Sequence, residues 1–249
     1  MDFGLTGRVA IVTGASRGLG AAVVRAFVDE GMRVVAAARS SDALEALAAA
    51  SPGAVHAARC DVSDTAQVAG LVDVALRRFG GVDVVVSNAG IAPAAAFVDM
   101  PEHEWERVLA VNLLAPVALA RAAGPVFFDQ GRGKVVHMAS TSGLRGKPTL
   151  AAYSASKGAL LRFTEALSGE WASRNIQVNA IAPGAFATDA QRAVLDAPEV
   201  LTRRLRKIPA GRMGTVGEIG ALACYLASPL SDFVTGATYV IDGGESSKL

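Results

Sequence analysis

A single doubly wound α/β domain, built on a seven-stranded and mainly parallel sheet with helices on both faces, is the fold class this sequence predicts. Three observations carry that expectation. Seven short runs rich in Val, Ile and Ala lack polar alternation, the pattern of strands covered on both faces. Segments with helical spacing separate them, so strand and helix alternate along the chain and right-handed βαβ units follow. No Pro/Ser-rich linker, compositional break or repeat with a period of ~20–50 residues divides the 249 residues.

The strands are expected at 8–13, 33–38, 54–59, 83–88, 134–139, 177–182 and 238–242, and the main helices at 19–30, 65–79, 102–119, 152–173 and 217–227. The interval 184–212 fits neither pattern and follows the sixth strand at its C-terminal end. Open α/β sheets bind ligands at that edge, so this interval is expected to be a substrate-binding lid.

Composition narrows the function. Lys+Arg number 24 against 23 Asp+Glu, a net charge of +1, which argues against a nucleic-acid partner. At 51% hydrophobic the chain is too apolar for a solvated coil, and no uninterrupted apolar run reaches the ~18–20 residues of a membrane span. Two cysteines, Cys60 and Cys224, make no disulfide framework, and the opening segment lacks the apolar core of a secretory signal. A reducing, cytoplasmic setting is expected. The terminal Ser247-Lys248-Leu249 matches a peroxisomal address, the alternative location.

The first strand runs into Gly14, Gly18 and Gly20 and then into an amphipathic helix. Glycine permits positive φ and close backbone approach, and a helix N-terminus favours anions, so this turn suits a pyrophosphate. The spacing is G-x-x-x-G-x-G, and a plain tight turn would need the same small residues. Position on the first βα unit points to a dinucleotide and a Rossmann fold. An NAD site normally carries Asp or Glu at the end of the second strand; here Ala36, Ala37 and Ala38 are followed by Arg39. Arg39 and Arg17 are suited to a 2′-phosphate, so NADP(H) is favoured and NAD(H) is the alternative.

An ordered set of motifs then appears: TGASRGLG at 13–20, CDV at 60–62, NAG at 88–90, VNL around Asn112, Ser140, YSASK at 153–157, PGAFAT at 183–188 and IDGG at 241–244. In this the sequence resembles the short-chain dehydrogenase/reductase family over essentially the whole chain. Chemistry supports the likeness. Tyr153 and Lys157 are four residues apart, hence on one helix face about one turn apart. A phenol ordinarily titrates near ~10; a neighbouring ammonium favours phenolate, and an oxidised nicotinamide adds a second positive charge. Tyr153 is therefore the expected general acid/base. Ser140 ends the KVVHMAS run, where a hydroxyl orients and stabilises the substrate oxygen. A nucleophilic role lacks partners: His56, His103 and His137 form no Ser-His-Asp pattern, and no G-x-S-x-G surrounds Ser140.

The resemblance implies further roles. Lys157 would hold the nicotinamide ribose, and Asn112 would support a proton relay, although a polar residue in an apolar helix also serves as a local cap. Ser16, Arg17 and Leu19 would join the three glycines against the phosphates. Asp61 and Val62 would approach the adenine. Asn88, Ala89 and Gly90 would line the ribose, and Pro183, Gly184 and Thr188 the carboxamide. No metal is expected, since no ligand spacing is present.

Two substrate classes fit the family: carrier-bound carbonyls, as for 3-oxoacyl-(acyl-carrier-protein) reductases, and sugar acids, as for gluconate 5-dehydrogenases. Arg145, Lys147, Arg174, Arg203, Arg204, Arg206 and Lys207 would attract an acidic carrier or an anion, or else form a solvated face. A non-catalytic nucleotide-binding regulator is the reading from another class; its expected mark, loss of Tyr, Lys or Ser, is absent. Family members are commonly homotetramers, and Phe127, Phe128, Phe163 and Trp171 enrich the two helices expected at such interfaces.

Overall fold

The computed structural model describes residues 2–247. In chain order the elements are β1 (Val9–Thr13), α1 (Gly18–Asp29), β2 (Arg33–Ala38), α2 (Ser41–Ala50), β3 (Val55–Arg59), α3 (Thr65–Phe79) and β4 (Val84–Ser87). Then come α4 (Glu102–Leu109), a π-helical turn (Ala110–Leu114), α5 (Ala115–Gln130), β5 (Gly133–Met138), α6 (Ala151–Trp171) and β6 (Ile176–Pro183). The short helices α7 (Arg192–Leu195) and α8 (Pro198–Leu205) precede α9 (Val216–Ala227) and β7 (Thr238–Ile241).

The sheet order is β3-β2-β1-β4-β5-β6-β7 and every pairing is parallel, so no antiparallel edge strand is present among the described residues. Because each strand alternates its side chains, the sheet divides one apolar repertoire between two cores. Ala10 and Val12 face Val23, Phe27, Leu44 and Ile219, under α1, α2 and α9. Val9 and Ile11 face Leu71, Leu119 and Trp171, under α3, α5 and α6. Phe27 and Phe127 are fully buried, one in each core; truncating either to Ala costs about 3–5 kcal/mol.

Strand order reverses between β1 and β4, which opens a crevice beyond the strands' C-terminal ends. Caps set where the helices point. Asp64 accepts from the N–H groups of Ala66 and Gln67 at the start of α3, and Gly80 ends it with φ of 83°. Thr215 and Glu218 form a reciprocal capping box on α9.

Two features depart from the sequence reading. The Ala-rich α2, with Leu44 and Leu47 buried three residues apart, is an additional helix. The helix expected at 102–119 continues to Gln130 and is broken in phase by the π turn at Ala110–Leu114. This continuous 29-residue run, Glu102–Gln130, is long and apolar enough to cross a membrane, but half of its most apolar stretch is buried inside the fold, where it serves as a core helix. The interval 184–212 contains α7 and α8 around a small cluster of Ala185, Ile208 and Met213.

Candidate active site

A cleft of about 750 Å3 lies along the C-terminal edge of the sheet. Ser16, Arg17, Gly18 and Leu19 line it at the turn into α1, whose N-terminus carries no side-chain cap. Its first N–H groups are thus available to an anion. Gly14, at φ of 64°, also lines the cleft, and a Cβ there would stand 2.8 Å from both the Ala89 Cα and the Asn88 Nδ2. Gly20 does not reach the cleft. A side chain at Gly20 would collide with the Gly14 carbonyl and the Asn88 amide, so this glycine lets α1 press against the turn.

Asn88, Ala89 and Gly90 line the cleft beside the turn. Asn88 is also a brace: its Nδ2 donates to the carbonyls of Thr13 (3.0 Å) and Gly14 (3.1 Å), and its N–H donates to Thr13 Oγ1. At the far end stand Arg39, Asp61 and Val62. The Asp61 carboxyl is held below its usual range by hydrogen bonds from Ser63, helped by the positive charges of Arg39 and Arg107. Arg107 lines this end too and escaped the sequence reading, because only the folded α4 brings it beside the β3 end. Pro183, Gly184 and Thr188 form the wall after β6.

Ser140, Tyr153 and Lys157 meet in the same cleft. Ser140 Oγ accepts from the Ser142 N–H (3.0 Å) and lies near enough to the Tyr153 phenol to favour its ionised form. Lys157 is 3% exposed, and its Nζ donates to the Met138 carbonyl at 2.7 Å while lying 5.8 Å from the centre of the Tyr153 ring. Burial pulls the Lys157 ammonium down to about 8. Burial also raises the Tyr153 phenol, with the Ser140 contact opposing, so the net direction is opposite to the lowering expected from a lysine one turn away. Desolvation is the largest influence on the phenol. Gly143 makes the triad possible. A Cβ there would stand 2.7 Å from the Lys157 backbone carbon, so only glycine lets the turn after Ser140 rest on α6.

Asn112 lies beneath the cleft rather than on its wall, fully buried within the π turn. Its Oδ1 accepts from the Ile91 N–H, and its Nδ2 donates to the Ile91 carbonyl (2.9 Å) and to Ser156 Oγ (3.0 Å). The side chain therefore ties β4's following loop to α6.

The basic residues are dispersed. Arg145, Lys147, Arg203, Arg204, Arg206 and Lys207 are not in the cleft wall. Arg204 forms a two-pronged ion pair with Glu245. Arg174 stacks 4.5 Å over Phe128, which itself packs edge-on against Trp171 at 5.5 Å. It therefore caps the C-terminal ends of α5 and α6 rather than serving the cleft. Phe127 and Trp171 are buried within the chain, and Phe128 and Phe163 are half-buried. No cluster of three or more His, Cys, Asp or Glu suited to a metal occurs among the described residues.

A family profile described as enoyl-(acyl carrier protein) reductase matches residues 14–246. The chain is 40% identical over 245 residues to the 3beta-hydroxysteroid dehydrogenase 1 of Eggerthella lenta, spanning 96% of this chain and 94% of that protein. It is 35% identical over 243 residues to the 3-oxoacyl-(acyl-carrier-protein) reductase FabG of Thermotoga maritima, spanning 96% and 98%. In three dimensions it is similar to a gluconate 5-dehydrogenase from Burkholderia cenocepacia solved with NADP and tartrate, with a TM-score of 0.93, 34% identity, and coverage of 100% and 98%. Likeness that extends across whole chains, in sequence and in three dimensions, means that this chain belongs to the short-chain dehydrogenase/reductase family of CH–OH oxidoreductases.

Proposed function

We propose that the enzyme uses NADP(H) to interconvert a ketone and a secondary alcohol, with a carrier-bound 3-oxoacyl group as the favoured substrate. The gathering of Ser140, Tyr153 and Lys157 in one cleft with the glycine turn carries this reading. The cofactor fits on three counts: positive φ at Gly14 and Gly18, an uncapped α1 N-terminus, and Arg39 where an NAD site would hold a carboxylate. When bound, the cofactor would supply the hydride and, in its oxidised form, a positive charge that favours phenolate.

The chain's own groups do the rest. Burial keeps Tyr153 protonated, the state needed to give its proton to a carbonyl oxygen during reduction. Ser140 already accepts from the Ser142 N–H, so its own proton is available to the substrate oxygen. Lys157 holds the ribose hydroxyls and keeps a positive charge under the phenol ring, while Asn112 anchors the relay that returns the proton. Elsewhere in the wall, Ile91, Ala92, Val111, Met138, Ala139 and Phe186 are apolar, and Arg107 and Asp189 pair with Glu104 and Arg192. Such a wall suits a neutral reacting end. A sugar acid is the second reading, supported by the likeness to the gluconate enzyme.

The interval 184–212 acts as the substrate lid in this reading. A cytoplasmic homotetramer is the expected assembly; Leu114, Phe233 and Val240 are exposed apolar side chains that an interface would cover, and light scattering at micromolar concentration checks it. Of the peroxisome-like tail, Lys248 and Leu249 lie outside the described residues.

The test is turnover of 3-oxoacyl thioesters, 5-ketogluconate and simple diketones with NADPH and with NADH, in the wild type and in Tyr153→Phe. The variant should lose roughly 10^2–10^4-fold in kcat while binding NADPH as before, because only the ionisable oxygen is removed. Nucleotide binding without turnover across the panel refutes the proposal.

A further inference from the structure

Behind the catalytic lysine lies a polar pair that the reaction described above does not use. Ser87 at the end of β4 is the register partner of His137 on β5. Adjacent residues in parallel register point to the same face of a sheet. Val85 and Val135, two residues earlier on each strand, belong to the core under α3, α5 and α6, so Ser87 and His137 face that side as well. Ser87 is 4% exposed and His137 not at all.

The tautomer of His137 follows from its neighbour. Its Nδ1 lies 2.9 Å from Thr164 Oγ1, and the single Thr164 hydroxyl proton is directed to the Leu160 carbonyl at 2.8 Å. Thr164 must then accept, so His137 carries its proton on Nδ1 and presents a bare lone pair at Nε2. Phe163 stacks on the ring at 5.4 Å and fixes its plane. Among the described residues, His137 Nε2 and Ser87 Oγ are the buried side-chain polar atoms with no hydrogen-bond partner in the protein.

A buried lone pair and a buried hydroxyl on facing positions require a third group, and a water with two to four polar partners is the usual one. His137 also immediately precedes Met138, whose carbonyl accepts from Lys157 Nζ. An ammonium has three donors, and this contact uses one of them. We propose that Ser87 Oγ and His137 Nε2 hold one ordered water beneath Lys157, which makes both of them positioning residues for the lysine.

The water donates to Nε2, exchanges a hydrogen bond with Ser87 and turns its oxygen toward the ammonium, stabilising the charged form. It does not extend the proton path. Burial and the charge of Lys157 push His137 down to about 3, so Nε2 stays empty of protons throughout the working range and the branch is a dead end. Lys157 on α6 is the charged group acting on His137; the flanking strand positions are the uncharged Ser87 on β4 and Ala180 on β6. The positioning role rests on reading Lys157 as part of the reaction. The water site itself does not.

Two measurements decide it. Nitrogen-15 spectra of the three histidine rings should show one ring locked as the neutral Nδ1–H tautomer from about pH 5 to about pH 9, and His137→Phe should remove that signal. A titrating ring or an Nε2–H tautomer overturns the site, whatever the enzyme's substrate proves to be. In kinetics, Ser87→Ala and His137→Phe should each move the alkaline limb of kcat/KM to lower pH by roughly half a unit, about threefold in the ionisation constant. The double variant should move it no further, since both remove the same water. A lower melting temperature with an unmoved limb in Ser87→Ala would mean packing alone and would overturn the positioning role. Absence of turnover across the substrate panel would sink the parent reading while leaving the ring spectra to decide this one.

Discussion

The two ends of the interval from Ser140 to Glu245 are built differently. Around the triad, position is over-determined: Gly143 rests on the Lys157 backbone, Lys157 is tied to the Met138 carbonyl, and Asn112 links Ile91 to Ser156. Around the interval 184–212, helices of four and eight residues enclose a small apolar cluster, tied to the rest by the Arg204–Glu245 ion pair, the Ala210 N–H donating to the Gly243 carbonyl (3.0 Å) and a bridge from Phe186 to Gly214. Short elements with few buried contacts open at low cost. On the proposed function, the difference lodges chemistry and selectivity in separately adjustable parts of one cleft.

Substitutions that sharpen this contrast are ordered by the size of their effect. Lys157→Met should reduce kcat by roughly 10^3-fold or more yet leave the protein no less stable at neutral pH. The sign follows from linkage. A lysine lowered to about 8 from 10.5 disfavours the folded state while charged, and that cost is present below about pH 8 and relieved as pH rises toward 10.5. The wild type should therefore gain melting temperature between those pH values relative to the variant, as thermal unfolding across pH would reveal. Gly143→Ala should cost roughly 10^2-fold in kcat with a stability loss of about 1–3 kcal/mol, because the added methyl meets backbone rather than a movable side chain.

Arg39→Asp should weaken NADPH roughly 10- to 100-fold and leave NADH nearly unchanged, as titration by nucleotide fluorescence would measure. Equal losses for both nucleotides would remove the 2′-phosphate role. At the lid, Arg204→Ala should change KM a few-fold with kcat within about a factor of two, and stability by about 1 kcal/mol or less. A large loss of kcat there would erase the distinction between the two parts.

What could be read from the chain follows the same division. Apolar runs located the strands because a two-sided parallel sheet needs continuous burial, and the Tyr153–Lys157 spacing needed only helical geometry to be meaningful. The π turn at Asn112 was not legible, since one extra backbone residue per turn leaves no compositional trace. Arg107 and Gly143 were missed for a different reason: each matters through a neighbour remote in sequence, the β3 end for one and α6 for the other. Gly20 was assigned to the cofactor by motif; its close approach to the Gly14 carbonyl and the Asn88 amide, which also excludes a side chain, was not legible from spacing. The net direction at Tyr153 required knowing how deeply the phenol is buried, which spacing alone does not supply.

The π turn at Ala110–Leu114 divides a 29-residue rod into two cylinders that are out of step by one residue, roughly 100° of rotation. Upstream of that dislocation the helix can turn Arg107 toward the nucleotide mouth, while downstream Leu119 and Phe127 are aimed into the sheet. Deleting a single residue there would bring the two halves back into phase and swing one of these faces away from its partner. The irregular coil thus acts as a mechanical offset, letting one continuous segment serve the solvent-facing rim and the deep interior at once.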